Sequence, residues 1–304
     1  THSLLAVLAA VSAILWLRTF DMPFRWLSSD GTVGGMVERI HNPLQNYLGA
    51  NFSSGAELVE QIRTQLDELD GLHPETCHVE SLERRGEAWR VGDAEGSGFE
   101  TKAVILATGA AYRTLGVPGE QEGLGDYVSQ STAKDADDYA GRTVAIVGGG
   151  DAGLEGALQL ARRNADVHLL LRSEPTRARP QFIEPVEEHP RIFIHPIPTT
   201  VQRIEPLPDP RGCRLHLDSR GEPTDLEVAC LFVRIGVDPT YPATDPEPDS
   251  DPRGHLIVDK RQRTSVDRLL ACGEVTDTEL PSIAVSVGDG ATAARTAAGL
   301  LGYA

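Results

Sequence analysis

The residues best placed to do chemistry lie mid-chain, in VAIVGGGDAGLEGA, where Gly148, Gly150 and Gly153 form a GxGxxG run directly after an apolar stretch. The first glycine permits a tight turn. The second lets the backbone approach a pyrophosphate, and the third lets the following helix pack against its strand. Asp151 stands inside the same turn, at the start of that helix. A bare glycine triplet is more often a simple turn. Here, however, RTVAIVGGGDAGLEGALQLARRNADVHLLLRS reads as strand, glycine turn, helix and strand within about thirty residues, the context a dinucleotide site requires.

After the second strand, HLLLRSEPTRAR places Arg172, Arg177 and Arg179 where an acidic residue holds the free ribose of NAD. Arginines there suit a 2′-phosphate and point to NADP(H), against the plainer reading of solvated surface charges. The strand LFVRIG closes the unit and brings Gly236 to its end, as a further cofactor contact.

Around this unit the chain reads as α/β. MPFRWLSS is a short strand, and SSGAELVEQIRTQLDEL repeats apolar residues at helical spacing behind a serine cap. A β-rich stretch from Cys77 ends in AVILA, a run expected of a fully buried strand. PATDPEPDSDPRG reads as a loop. RLLACGEV then gives a strand, and SIAVSVGDGATAARTAAGLL a small-residue helix. No repeat of solenoid period is present.

The chain has 304 residues, enough for a substantial core and two domains. Its net charge of −17 works against nonspecific binding to nucleic acid or an anionic membrane. An anionic ligand must therefore be held by local arginines or helix N-termini. Cys77, Cys213, Cys230 and Cys272 stand far apart without metal-ligand spacing, so neither zinc nor a disulfide framework is expected. The apolar run Leu4 to Leu17 is shorter than the about 20 residues a membrane span needs, and no basic segment precedes it. The expectation is a cytoplasmic protein.

On these motifs the chain resembles the thioredoxin reductase-like, low-molecular-weight pyridine nucleotide flavoproteins. TKAVILATGAAYRTLGVPGE is similar to the family's strand, Ala-Thr-Gly loop and crossover. GGMVERIHNPLQNYLG is similar to its flavin-contacting loop, and RLLACGEV with GDGATAA to its closing flavin motif and helix. The resemblance implies two dinucleotide-binding domains: a discontinuous FAD-type domain (1–115 and 244–304) and an inserted NAD(P)H domain (116–243), usually in a homodimer. It implies that NADPH reduces FAD, which passes electrons to a disulfide or another acceptor. The implied flavin contacts are Gly34, Gly35, Asn46, Thr108, Gly109, Gly273, Glu274 and Ala284, the last at the N-terminus of the final helix.

Two departures matter. Where thioredoxin reductases carry a CxxC and an aspartate, this chain has Ser131, Thr132, Ala133, Lys134 and Asp135, and serine and lysine form no disulfide. Asp135 matches the proton-donating aspartate and is the candidate catalytic residue, with a solvated loop or cap as the plainer reading. Cys77 and Cys272 lie in apparent strands and read as buried packing residues.

The second departure is LAVLAA, which falls on the first glycine loop and puts Leu5, Val7 and Ala10 at its glycines. Leucine suits the tight turn poorly, and a valine side chain occupies space the pyrophosphate needs. Ser28 stands at the usual ribose-binding acid, and Glu274 replaces an aspartate. Four accounts remain open: FAD held through the other contacts, FAD lost, a glycine-rich tract read one nucleotide out of register, or an apolar core helix over residues 4–17.

The leading expectation is an NADPH-dependent flavoprotein oxidoreductase without an intrinsic dithiol, its acceptor a small redox protein, a quinone or a small disulfide. Relatives without CxxC that act as ferredoxin–NADP reductases carry extra C-terminal aromatic residues, for which Tyr303 is the candidate here. The alternative is a flavin-free, non-catalytic NADPH-binding sensor or scaffold.

Overall fold

A computed structural model describes residues 7–69, 71–175, 178–208 and 212–303. The chain forms two compact units, Thr1–Ala111 with Asp238–Ala304, and Tyr112–Val237. Each has its own hydrophobic clusters.

The first unit begins with helix α1 (Val7–Thr19), strand β1 (Leu27–Ser28), helix α2 (Gly55–Glu68) and strand β2 (Glu75–Thr76). An antiparallel meander follows, β3 (Val79–Arg85), β4 (Ala88–Asp93) and β5 (Gly98–Thr101), then β6 (Val104–Leu106) and β7 (Ala110–Tyr112). In the second unit come α3 (Glu120–Gly123), β8 (Val128–Ser129), α4 (Thr132–Asp135), β9 (Thr143–Val147), α5 (Asp151–Ala161), β10 (Asp166–Leu170), α6 (Pro180–Glu187) and β11 (Ile192–Ile194). The meander β12 (Thr199–Leu207), β13 (Gly212–Ser219) and β14 (Glu222–Val228) leads to β15 (Leu231–Val233) and β16 (Val237–Pro239). The chain closes in the first unit with β17 (Ala243–Asp245), β18 (Leu269–Ala271) and α7 (Ile283–Leu301).

The second unit is a three-layer sandwich around a five-stranded sheet of order β11-β10-β9-β15-β8, whose paired strands run parallel. Side chains alternate across a strand, so β9 turns Val144 and Ile146 toward α5 and Ala145 toward the antiparallel meander. Burial on both faces explains the unbroken apolar character of VAIV. The expected βαβ unit is therefore present, with β9 central.

The first unit is built differently. Strand β17 pairs parallel with β3 at the edge of the meander, and two further parallel pairs stand apart from it, β1 with β2 and β6 with β18. Helix α1 is apolar all round because it packs on two sides. Ala9 and Ala13 face α7, while Leu8 and Val11 join Leu58, Ile62 and Leu66 of α2. The approach of α1 to α7 is tight: a Cβ on Gly290 would stand 2.1 Å from the Ala9 carbonyl oxygen. Ser12 Oγ also donates to the Val287 carbonyl at 2.7 Å.

Serine caps start the two long polar-flanked helices. Ser54 accepts from the Glu57 N–H at α2, and Ser282 from the Val285 N–H at α7. Among the described residues no helix is long and apolar enough to cross a membrane.

Four expectations are corrected. Residues 7–10 are the first turn of α1 rather than a loop, and Leu5 lies outside the described residues. The run AVILA is a strand only at Val104–Leu106, with Leu106 buried and Ile105 half-buried, and among the described residues β6 pairs with β18 alone. Cys77 is half-buried just after β2 instead of inside a strand, and the loop after Tyr241 starts with β17.

Candidate nucleotide site and the flavin-type unit

In the second unit the sheet delivers the glycine turn to the N-terminus of α5. Gly148 has φ +130°, and a Cβ there would lie 2.1 Å from the Arg234 carbonyl oxygen, so neither conformation nor space admits a side chain. A Cβ on Gly153 would lie 2.1 Å from the Gly148 carbonyl oxygen, which fixes how closely α5 meets β9. Gly150 differs. It caps α5 in an extended conformation, is exposed, and nothing lies within 4 Å of where its Cβ would point.

The turn is thus rigid at two glycines and open at the third. The opening lies over the helix terminus, where unpaired N–H groups and the positive end of the dipole favour an anion. These residues fit the pyrophosphate of a pyridine nucleotide.

Around the opening the predicted residues divide. Arg172 lies two residues past β10, exposed. Arg177 lies outside the described residues. Arg179 is committed to Asp151: its backbone N–H donates to one carboxylate oxygen at 2.8 Å and its Nε to the other at 2.6 Å. Those bonds, the backbone one foremost, hold the Asp151 carboxyl below the usual carboxylate range. Asp151 therefore ties the arginine-bearing loop to α5 instead of offering a free carboxylate to the nucleotide. Gly236 has φ +93°, and its carbonyl accepts from the Arg113 N–H at 3.0 Å.

The stretch 131–135 is held by local bonds. Ser131 caps α4 by accepting from the Lys134 N–H at 3.3 Å. Asp135 accepts from the Ser129 hydroxyl at 2.6 Å and lies 3.8 Å from the Lys134 ammonium. Its carboxylate is neither a solvated charge nor a cap; it bridges the end of β8 to α4.

In the first unit, Gly35, Gly109 and Gly273 all adopt left-handed conformations and are buried, as tight turns demand. The Gly109 carbonyl accepts from Thr240 N–H at 3.0 Å, and the Gly273 carbonyl from Thr276 Oγ1 at 2.7 Å. Gly34 precedes the 3₁₀ turn Gly35–Arg39, Asn46 is exposed in the loop beyond it, and Ala284 is exposed in the first turn of α7. Burial pushes the Glu274 carboxyl up, with His255 opposing. Thr108 carries a buried hydroxyl with no hydrogen-bond partner.

The sequence reading overlooked two carboxylates. Asp30 accepts from the Ser28 hydroxyl and the Thr32 N–H, each at 2.9 Å. The signal was an acid two residues past a strand end. Asp289 accepts from Gln262 Nε2 at 2.9 Å and from the Gly273 N–H, and burial raises its carboxyl.

The first turn of α1 carries no glycine, Leu8 is buried, and Ala9 is fully buried against α7. Ala10 is helical and half-buried. Gly35, Gly109 and Gly273 thus agree in conformation with the flavin contacts the resemblance implies, and the described first turn of α1 adds no glycine to them.

The four cysteines are free, Cys77 half-buried and the other three buried. Cys213 and Cys230 are buried and pushed up to about 12 by desolvation, and burial raises Cys272 further. No group of three or more metal-ligating side chains occurs among the described residues.

Comparison with known proteins gives a concordant result. The family model for pyridine nucleotide-disulphide oxidoreductases matches residues 18–290. A bifunctional thioredoxin reductase/thioredoxin of Mycobacterium leprae is 34% identical over 268 residues, covering 87% of this chain and 58% of that protein. A thioredoxin reductase of Treponema pallidum is 30% identical over 256 residues, covering 84% and 82%. A component of the alkyl hydroperoxide reductase of Pseudomonas putida is 29% identical over 262 residues, covering 84% and 49%. The chain thus spans about half the length of two of these relatives. Among solved structures, Lactococcus lactis thioredoxin reductase superposes with a TM-score of 0.77 at 25% identity, covering 97% of this chain and 96% of that one.

Proposed function

The chain belongs to the pyridine nucleotide-disulphide oxidoreductase family, and on that premise we propose that it is an NADPH-dependent oxidoreductase of thioredoxin reductase-like fold acting on an external acceptor. The carrying observation is the turn Gly148–Gly153, closed at two glycines and open at Gly150 over the α5 N-terminus. NADPH binds there through its pyrophosphate, with Arg172 on the 2′-phosphate.

The acceptor is a disulfide on a small redox protein. The relatives named for thioredoxin and for alkyl hydroperoxide reductase support this choice. FAD, when bound in the first unit, would take the hydride of NADPH and hand on its two electrons; the disulfide takes two electrons and two protons, one from the hydride and one from solvent. No dithiol of this chain relays them, since Ser131 and Lys134 occupy the matching stretch. The resemblance adds a cytoplasmic homodimer to this reading.

One observation favours a second reading, a flavin-free NADPH-binding sensor or scaffold: the described first turn of α1 is helical, carries no glycine and buries Leu8 and Ala9. One experiment separates the two. The purified protein is titrated with NADPH anaerobically, with and without added FAD and a thioredoxin disulfide, while the visible spectrum is followed. NADPH oxidation coupled to disulfide reduction supports the oxidoreductase. NADPH binding by a colourless protein without turnover supports the sensor, and absence of NADPH binding removes both.

A further inference from the structure

The nucleotide crevice of the second unit has two ends. The glycine turn takes the pyrophosphate and Arg172 follows β10, so the adenosine end lies over β10 and the nicotinamide end over the strand on the other side of β9. In the order β11-β10-β9-β15-β8 that strand is β15. The first residue past its end is Arg234.

The backbone of Arg234 is fixed to the glycine turn. Its N–H donates to the Val147 carbonyl at 2.8 Å, and its own carbonyl oxygen is the atom a Cβ on Gly148 would meet at 2.1 Å. The half-buried side chain reaches toward β8. Its Nη1 donates to the carbonyl of Gln130, one residue past β8, and the guanidinium carbon stands 5.9 Å from the centre of the Tyr112 ring. Neither partner carries a negative charge. The Nε is buried without a hydrogen-bond partner.

Nearby cations are placed differently. Arg179 pairs with Asp151 at 2.6 Å, and Lys134 lies 3.8 Å from Asp135. Among the described residues no carboxylate forms an ion pair with Arg234. A buried donor without an acceptor and a half-buried cation without a counter-charge both cost stability. Nothing described in the chain offsets that cost, so its return must come from a ligand.

The ligand's own charge decides what the cation does. The nicotinamide ring is neutral in NADPH and a pyridinium cation in NADP⁺, while every phosphate is common to both. Arg172 and the α5 N-terminus therefore treat the two forms alike. The chain's net charge of −17 favours the less negative NADP⁺, but salt screens that long-range field more than a half-buried charge.

Resting on the pyridine-nucleotide reading, we propose that Arg234 distinguishes the two oxidation states of the coenzyme: its uncompensated guanidinium at the nicotinamide end repels the pyridinium of NADP⁺, so the site retains the reduced form and releases the oxidised one. A residue that merely tied β15 to β8 would affect both forms equally.

The test titrates the 304-residue chain calorimetrically, at about 0.15 M salt, with NADP⁺ and with tetrahydro-NADP, a reduced analogue whose neutral ring gives up no hydride. One unit charge in a half-buried site is worth about tenfold, so tetrahydro-NADP should bind about tenfold tighter than NADP⁺. Arg234→Gln removes the charge and keeps an N–H for the Gln130 carbonyl; the two ligands should then bind within about twofold of each other. Arg234→Lys keeps a cation and should keep the preference.

An unchanged ratio in Arg234→Gln, or equal losses for both ligands, overturns the proposal. Binding of both by the unaltered chain without preference for the reduced analogue removes this inference alone. Binding of neither removes the nucleotide reading with it. Thermal melting checks the fold of each variant. If Arg234→Gln does not fold, the preference in the unaltered chain and in Arg234→Lys still decides, since equal or tighter binding of NADP⁺ contradicts a repelling cation.

Discussion

Gly150→Ala separates a binding role from a folding role at a single methyl group. The residue has φ −85° and ψ 174°, a conformation alanine adopts freely, and its added Cβ meets nothing within 4 Å. Folding should gain, because alanine restricts the unfolded chain; at about 0.4–1 kcal/mol the melting temperature of the second unit stays level or rises by about 1–4 °C. The methyl group instead enters the space over the α5 N-terminus, where it keeps a pyrophosphate from the backbone donors. Losing one charge-assisted hydrogen bond costs about 1.5–3 kcal/mol, so the NADPH Kd should rise about 10- to 100-fold. Gly153→Ala is the contrast: its Cβ would lie 2.1 Å from a backbone oxygen, so α5 must move and stability falls. Calorimetric NADPH titration alongside thermal melting reads both effects. An unchanged Kd in Gly150→Ala would refute the placement of the pyrophosphate.

Arg172→Ala should weaken NADPH about tenfold and leave NADH nearly unchanged in the same titration, since a 2′-phosphate contact is absent from NADH; equal losses would remove the phosphate role. His168 Nδ1 and His195 Nε2 lie 2.9 Å apart, and burial holds both below the ordinary 6.5. A histidine depressed in the folded state binds its proton more readily when unfolded, so its stabilising contribution is present above pH 6.5 and is lost as pH falls below it. Denaturant melts between about pH 8 and 5 should show that decline, reduced in His195→Gln. Ellman titration of the native protein should find at most the half-buried Cys77 reacting, slowly because burial raises its thiol, and all four thiols only after unfolding. Rapid reaction of two native thiols would restore a dithiol to the mechanism.

Much of the second unit was legible because its signals are local. The apolar run before Gly148, the helical spacing after it and the strand ending at Leu170 each obey one period, and burial on both faces leaves that period undisturbed. The Asp151–Arg179 bond was not legible, because it joins residues 28 positions apart across a loop whose path no periodicity encodes. The run AVILA misled for a related reason. Apolar composition reports that a segment avoids water, and Ile105 does so against Ala9 and Ala13 of α1 and Ala294 and Ala297 of α7.

The contrast between α1 and α5 connects the site to the fold. A dinucleotide cradle is made by a strand, a turn and a helix together: β9 fixes the entry, Gly148 turns the chain, and α5 begins with its N–H groups exposed. Removing only the glycines would leave the same path with side chains in the way. The setting of α1 differs, since its first turn is packed into the core through Leu8 and Ala9. Restoring glycines at positions 7 and 10 alone should therefore not create a phosphate site, because the N–H groups of a turn bind an anion only when a strand aims them.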